Sequence, residues 1–231
     1  VPRFTLVQLA GVPSELLVAH GEEFQIGGQV RYESFWKPTR VAAWFGRASA
    51  ANASVQNSTF TLAVPGQLQE GRLRVRIGDA ERFVQIRPVL RPSLKNLEAT
   101  ILLPDYLKLP AREQNAQGGS VTAVEGSKAS FRGQVSRALA QAEAVANGAN
   151  LSIKTEADRF STGAVDVDSV SAAEFRWRDQ LGFTNQNPWK LAIQTQKDAA
   201  PVPEIPDISR EISRSEEHTS ELQSRFGISY A

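Results

Sequence analysis

Two histidines occur in 231 residues, with no cysteine and no methionine. His218 falls in the segment RSEEHTSELQS, so His20 is the one imidazole elsewhere, in AHGEE beside Glu22 and Glu23. One imidazole supports neither a histidine-rich metal site nor a serine–histidine triad. His20 with its two glutamates reads as a solvated turn. The lack of cysteine removes disulfides, thiolate chemistry and cysteine–metal sites together. Hard-cation chemistry would need clustered oxygen donors. Asp166 and Asp168 form a D-x-D, and Asp198 precedes Ala-Ala-Pro, which sketches a calcium site at one domain end. The further Asp or Asn ligands and the bidentate Glu of a calcium loop are missing, so no metal is assigned. Carboxylates are plentiful, but nothing singles out a pair for glycoside hydrolysis. There is no phosphate-binding glycine loop, no G-x-S-x-G and no H-E-x-x-H. The expectation is therefore no catalytic, cofactor-binding or metal-binding residue, and no enzyme.

Aromatic residues are the remaining candidates. Trp177 and Trp189 read as core anchors rather than ligand platforms. Trp36 and Trp44 read the same way, with Trp36 the more exposed because Lys37-Pro38 follows it. Arg72, Arg74 and Arg76 alternate with Leu73, Val75 and Ile77, which is one strand with its polar face in water. Residues 1–92 hold eleven Lys and Arg against seven Asp and Glu, an excess too small to point to nucleic acid.

The elements that must position these groups repeat with period two. Phe60, Leu62 and Val64 alternate with Thr61 and Ala63. The same pattern recurs at Leu97–Ile101, Ala129–Val135, Ala173–Trp177 and Trp189–Ile193. Successive strand side chains face opposite sides, so each run buries one face and wets the other. Turn signals separate the runs at Gly27-Gly28, Gly66, Gly71, Gly78-Asp79, Gly118-Gly119, Gly126-Ser127 and Asn147-Gly148. Residues 135–146, VSRALAQAEAVA, have helical propensity. The Asn147-Gly148 pair, with Leu151 and Ile153 beyond, favours a strand and a hairpin instead. Short strands at this spacing argue for sandwiches rather than βαβ units.

Pro88 and Pro92 mark a short stiff linker, because each proline withdraws a donor and biases its predecessor to extended geometry. The organisation read from this is all-β: two tandem immunoglobulin-like β-sandwiches, 1–92 and 93–205. A weak internal repeat agrees. EGRLRVRIGD (70–79) then FVQI parallels AAEFRWRDQLGF (172–183) then WKLAI. No run reaches the length of a membrane span. The sequons at Asn52, Asn57 and Asn150 read as chance in a chain without cysteine.

Residues 214–224 resemble, residue for residue, one reading frame of a sequencing-library adapter. Residues 206–231 are accordingly read as an artefactual tail and excluded from fold reasoning. On pattern alone they would form a weakly helical or disordered segment, with Ile208, Ile212 and Leu222 as a sparse apolar stripe. The chain opens at Val1 without methionine, and is read as an internal fragment of a longer protein.

Three segments carry a family resemblance. LEATILLPDYLKLPAR (97–112) contains Pro104, Tyr106 and Pro110. SVTAVEGSKASFRGQVSRAL (120–139) contains Val124, Gly126 and Ser127. FRWRDQLGF (175–183) contains Trp177, Asp179 and Gly182. Together they resemble a repeated unit of large bacterial membrane-anchored proteins of unknown function. VPSELLVAHGEEFQI (12–26) and WKPTRVAAWF (36–45) are similar to the module preceding it. The resemblance implies tandem immunoglobulin-like domains outside the cytoplasmic membrane, and it carries over no catalytic residue. Independently of it, Pro104 and Pro110 should bracket an exposed turn with Tyr106 covering the sandwich edge, and Gly126 should take a positive φ.

The expected function is a non-catalytic structural or interaction module, an extracytoplasmic, periplasmic spacer in a larger membrane-anchored bacterial protein. Its expected partners are other domains of the same parent chain, and an unknown protein or carbohydrate. No nucleic acid and no direct membrane insertion are expected. The alternative is a carbohydrate- or other ligand-binding β-sandwich module, resting on the four tryptophans and analogy of fold alone.

Overall fold

The structure is a computed structural model that describes residues 6–197. Asp198, His218 and the expected tail at 206–231 lie outside the described residues.

The alternating segments form the strands their pattern predicts. The first eight are β1 (Val7–Ala10), β2 (Glu15–Ala19), β3 (Phe24–Tyr32), β4 (Arg40–Phe45), β5 (Ala48–Ser54), β6 (Thr59–Val64), β7 (Gly71–Ile77) and β8 (Ala80–Val89). They build two sheets, ordered β1-β3-β6 and β2-β8-β7-β4-β5. Gly11, at φ 73°, and Pro13 break the first strand in two, so that β1 joins one sheet and β2 crosses to the other. There β2 pairs parallel with β8, Glu15 opposite Gln85. Val7, Ile26, Val41, Leu62, Leu73, Val75, Val84 and Ile86 are buried between the sheets.

Eleven further strands make the second sandwich. They are β9 (Leu94–Leu102), β10 (Arg112–Asn115), β11 (Ser120–Val124), β12 (Lys128–Val135), β13 (Leu139–Ala146), β14 (Ala149–Asn150), β15 (Ile153–Glu156), β16 (Arg159–Thr162), β17 (Val165–Asp166), β18 (Ala172–Asp179) and β19 (Trp189–Gln196). One sheet runs β10-β9-β12-β16-β15, with β17 also on β12; the other runs β11-β19-β18-β13-β14. The parallel closure recurs, with β11 on β19 and Ser120 opposite Ala192. The core centres on aromatic rings: Phe131 meets Phe175 edge-on at 5.8 Å, and Phe160 stacks on Trp177 at 6.1 Å. Such pairs contribute beyond their buried area.

All five alternating runs bury the expected face, and VSRALAQAEAVA ends in strand β13. Asn147 and Gly148 both take positive φ, as a two-residue hairpin turn requires. The hairpin is shorter than its pattern suggests. β13 and β14 share two residue pairs, after which the chain crosses, and Ile153 opens β15 in the opposite sheet. Alternation looks the same on either sheet, so it does not announce the crossing. The 70–79 and 172–183 repeats do correspond: β7–β8 and β18–β19 are the closing hairpins of their sandwiches.

Candidate functional site

The polar groups weighed for chemistry are dispersed. His20 and Glu23 are exposed. Asp168 is absorbed by the fold, its carboxylate accepting the Gly126 N–H at 2.8 Å, while Asp166 lies 4.0 Å from Lys128. Gly126 has the expected positive φ of 80°. Among the described residues, no three His, Asp or Glu side chains gather as a cation would need. Tyr106 sits on a short 3-10 turn (Asp105–Leu107) and is 63% exposed, so its ring lies largely in solvent rather than sealing the sandwich edge.

The tryptophans divide. Trp177 is buried, and Trp189 packs partly buried on the second core. Trp44 is half-buried with the Arg74 guanidinium 5.0 Å above its ring, and Arg72 covers Phe83 at 4.5 Å. Two of the three β7 arginines are thus laid over aromatic rings, which simple alternation does not reveal, while Arg76 donates to the Gly78 carbonyl. Trp36 is 52% exposed, next to a fully exposed Phe35.

The densest polar chemistry lies where the sequence indicated only a stiff linker. β8 ends at Val89 and β9 begins at Leu94, so four residues join the sandwiches. Every one of them is held. Arg137 donates to the carbonyl of Leu90. The Arg91 guanidinium grips Glu22 through two nitrogens at 2.6 and 2.7 Å, and reaches the Thr184 carbonyl at 2.9 Å. The buried Trp177 indole N–H donates to the Pro92 carbonyl at 2.9 Å. Ser93 exchanges two bonds with Ser136: its N–H reaches the Ser136 Oγ at 3.0 Å, and its carbonyl accepts the Ser136 N–H at 2.9 Å.

Local structure explains why these partners stand ready. Glu22 lies in the β2–β3 turn, where Gly21 has φ 73° and donates to the Gln67 carbonyl at 2.9 Å. Gly66 packs so tightly below that a Cβ there would lie 2.3 Å from the Gly21 backbone. On the second sandwich, Asp179 ends β18. Its carboxylate accepts the Phe183 N–H at 2.8 Å and lies 2.7 Å from Arg137. Asn185 then stands in for a strand neighbour, accepting the Trp177 N–H and donating to the Phe175 carbonyl. Hydrogen bonds from Arg91, only partly opposed by burial, hold the Glu22 carboxyl below the usual carboxylate range; the same bonds raise Arg91. The expected solvated turn is thus half right: His20 is in solvent, but Glu22 is engaged across the linker.

A cleft of about 350 Å³ adjoins this junction, lined by Gln141, Glu143, Arg176, Arg178 and Gln186. Gln141 and Glu143 already bond each other at 2.9 Å.

The fold is immunoglobulin-like. Solved structures with similar architecture include the fibronectin(III)-like modules of CbhA from Clostridium thermocellum, at 10% identity and a TM-score of 0.37, covering 85% of this chain and 98% of that one. The tandem Ig repeats of Dlar match at 7% identity and a TM-score of 0.31, covering 82% and 98%. Domains 4–9 of the surface layer protein SbsC match at 12% identity and 0.32, covering 83% and 32%. The sequence matches no protein-family model and no curated protein.

The sequence pattern marks neither the role of Arg91 nor its pairing with Glu22, which reads there only as part of a solvated turn. Arg91 stood between two prolines as an ordinary linker charge. The one available signal was Trp177: a buried indole N–H needs an acceptor, and no nearby side chain offered one.

Proposed function

We propose that this chain is a non-catalytic spacer and interaction module, in which residues 1–92 and 93–205 form two immunoglobulin-like units held at a fixed angle by the linker clasp. We place it outside the cytoplasmic membrane, within a larger membrane-anchored bacterial protein. The single observation that carries the spacer reading is the saturation of the four-residue linker by side chains from both sandwiches. A flexible connector needs none of these bonds, whereas a spacer that transmits position needs all of them. Linkers otherwise default to relative domain motion. The carbohydrate alternative has less support, because Trp44 lies under a guanidinium and Trp177 faces inward.

The location is tested in the parent protein with Asn52→Cys, an exposed site in a cysteine-free chain. A membrane-impermeant maleimide should label it in spheroplasts without lysis. Labelling that requires lysis would refute the placement.

A further inference from the structure

We propose that the cleft beside the junction binds a sugar acid, its carboxylate held by the Arg176 guanidinium and its hydroxyls by the neighbouring side chains. This deepens the interaction part of the proposed function and leaves untouched the linker bonds that carry the spacer part.

Strand pairing shapes the cleft. Its floor is the solvent face of β13 and β18, where Gln141 stands opposite Arg178 and Glu143 opposite Arg176. β19 begins at Trp189, opposite Phe175, so beyond that pair residues 184–188 take its place beside β18. They form the wall, and they are fixed. Asn185 donates to the Asn187 carbonyl at 2.6 Å and to the Phe175 carbonyl at 3.2 Å. Thr184 is bridged to Arg178 and accepts from Arg91. A pre-ordered wall loses little entropy when a ligand arrives.

Charge indicates the occupant. Two guanidinium groups, Arg176 and Arg178, meet one carboxylate, Glu143, so the cleft is cationic. The other charges nearby are engaged: Glu174 with Lys190 at 3.4 Å, Asp179 with Arg137 at 2.7 Å, and the Arg178 Nε with the Gly182 carbonyl at 3.2 Å. Glu143 faces Arg176 across the ladder, yet its Oε1 accepts from Gln141. Among the described residues, Arg176 is left without an anionic partner. A guanidinium fork matches a carboxylate. Around it, Glu143 accepts, while the Gln141 and Gln186 amides both donate and accept, which suits hydroxyl groups that do the same. Pro188 offers an apolar wall to the C–H face of a ring. A volume of about 350 Å³ lies at the lower end for small-ligand sites, roughly 300–1,000 Å³, and fits a sugar rather than a folded partner. The site needs no tryptophan platform.

Amide NMR of the full chain, titrated with digalacturonate to about 20 mM, tests the proposal over a range suited to a weak polar site. Amides of 141–143, 176–178 and 184–186 should shift together and saturate. The dimethyl ester of digalacturonate lacks the charge, and triglutamate carries carboxylates without hydroxyls. Each should bind about tenfold or more weakly. Arg176→Gln, at an exposed side chain outside the core, should weaken digalacturonate by a similar factor. Arg132→Gln, exposed on the opposite sheet, should leave it unchanged. No saturable shift, equal binding of the ester or of triglutamate, binding retained in Arg176→Gln, or equal loss in both variants overturns the proposal. None of these outcomes alters the interdomain geometry on which the spacer reading rests.

Discussion

Asp179 and Arg137 lie 2.7 Å apart at the junction, the carboxylate almost wholly buried at 1% exposure and the guanidinium still reaching the Leu90 carbonyl. The closing corner of the second sandwich and the linker thus share one cation. Removing Arg137 leaves a buried carboxylate with only the Phe183 N–H in support. Arg137→Ala should cost about 2–4 kcal/mol, the scale of breaking a buried pair from one side. Asp179→Asn removes the charge as well as the pair and should cost less. Urea denaturation of both variants provides the comparison; equal losses would mean that the uncompensated charge is not the cause.

Arg91 joins the two sandwiches more directly, with Glu22 on one side and Thr184 on the other. Arg91→Ala should loosen their relative orientation while leaving each core within about 1 kcal/mol of its stability, because the residue is outside both. Spin labels at Asn52→Cys and Glu156→Cys, one per sandwich, should report a narrow distance distribution in the parent chain and a broad one in the variant. An unchanged width would show that Arg91 is not the tether.

The clasp should depend on pH with a definite sign. The Glu22 carboxyl is lowered by its hydrogen bonds from Arg91. A depressed acid contributes docking stability that is fully present above its free value, about 4.3, and is lost as pH falls through the docked value. The same label pair should therefore stay narrow at neutral pH and broaden only below the ordinary carboxylate range. The contribution is modest, because both partners are about a third exposed. Broadening that begins near neutrality would point to another group.

Gly66 supports Glu22 from beneath. A methyl group there meets Gly21 backbone at 2.3 Å, which cannot rotate away as a side chain could. Gly66→Ala should destabilise the N-terminal sandwich by about 1–3 kcal/mol and shift the Glu22 turn, so that it also broadens the interdomain distance. A variant that melts like the parent chain would contradict the close packing.

Much of the fold could be read directly from the chain. Leu73, Val75 and Ile77 against Arg72, Arg74 and Arg76 define both faces of β7, and Asn147-Gly148 marks the turn between β13 and β14. Partner choice was not legible. Period two gives a strand its faces but not its neighbours, so neither the parallel β2–β8 closure nor the crossing of Ile153 to the other sheet could be seen. The junction was hidden for a different reason. Four of its acceptors, at Leu90, Pro92, Ser93 and Thr184, are backbone carbonyls, which every residue possesses. Arg91 shows as a charge, but its grip depends on Glu22, 69 positions earlier, and Thr184, 93 later.

The proposed spacer role requires the linker to fix the two sandwiches as one body. Residual dipolar couplings measured on the full chain in one alignment medium test this most directly. One alignment tensor, equal in magnitude and orientation, should fit amides of 7–89 and 94–196 together. Two tensors of different magnitude would mean that the sandwiches reorient independently, and the clasp would not be what sets their geometry.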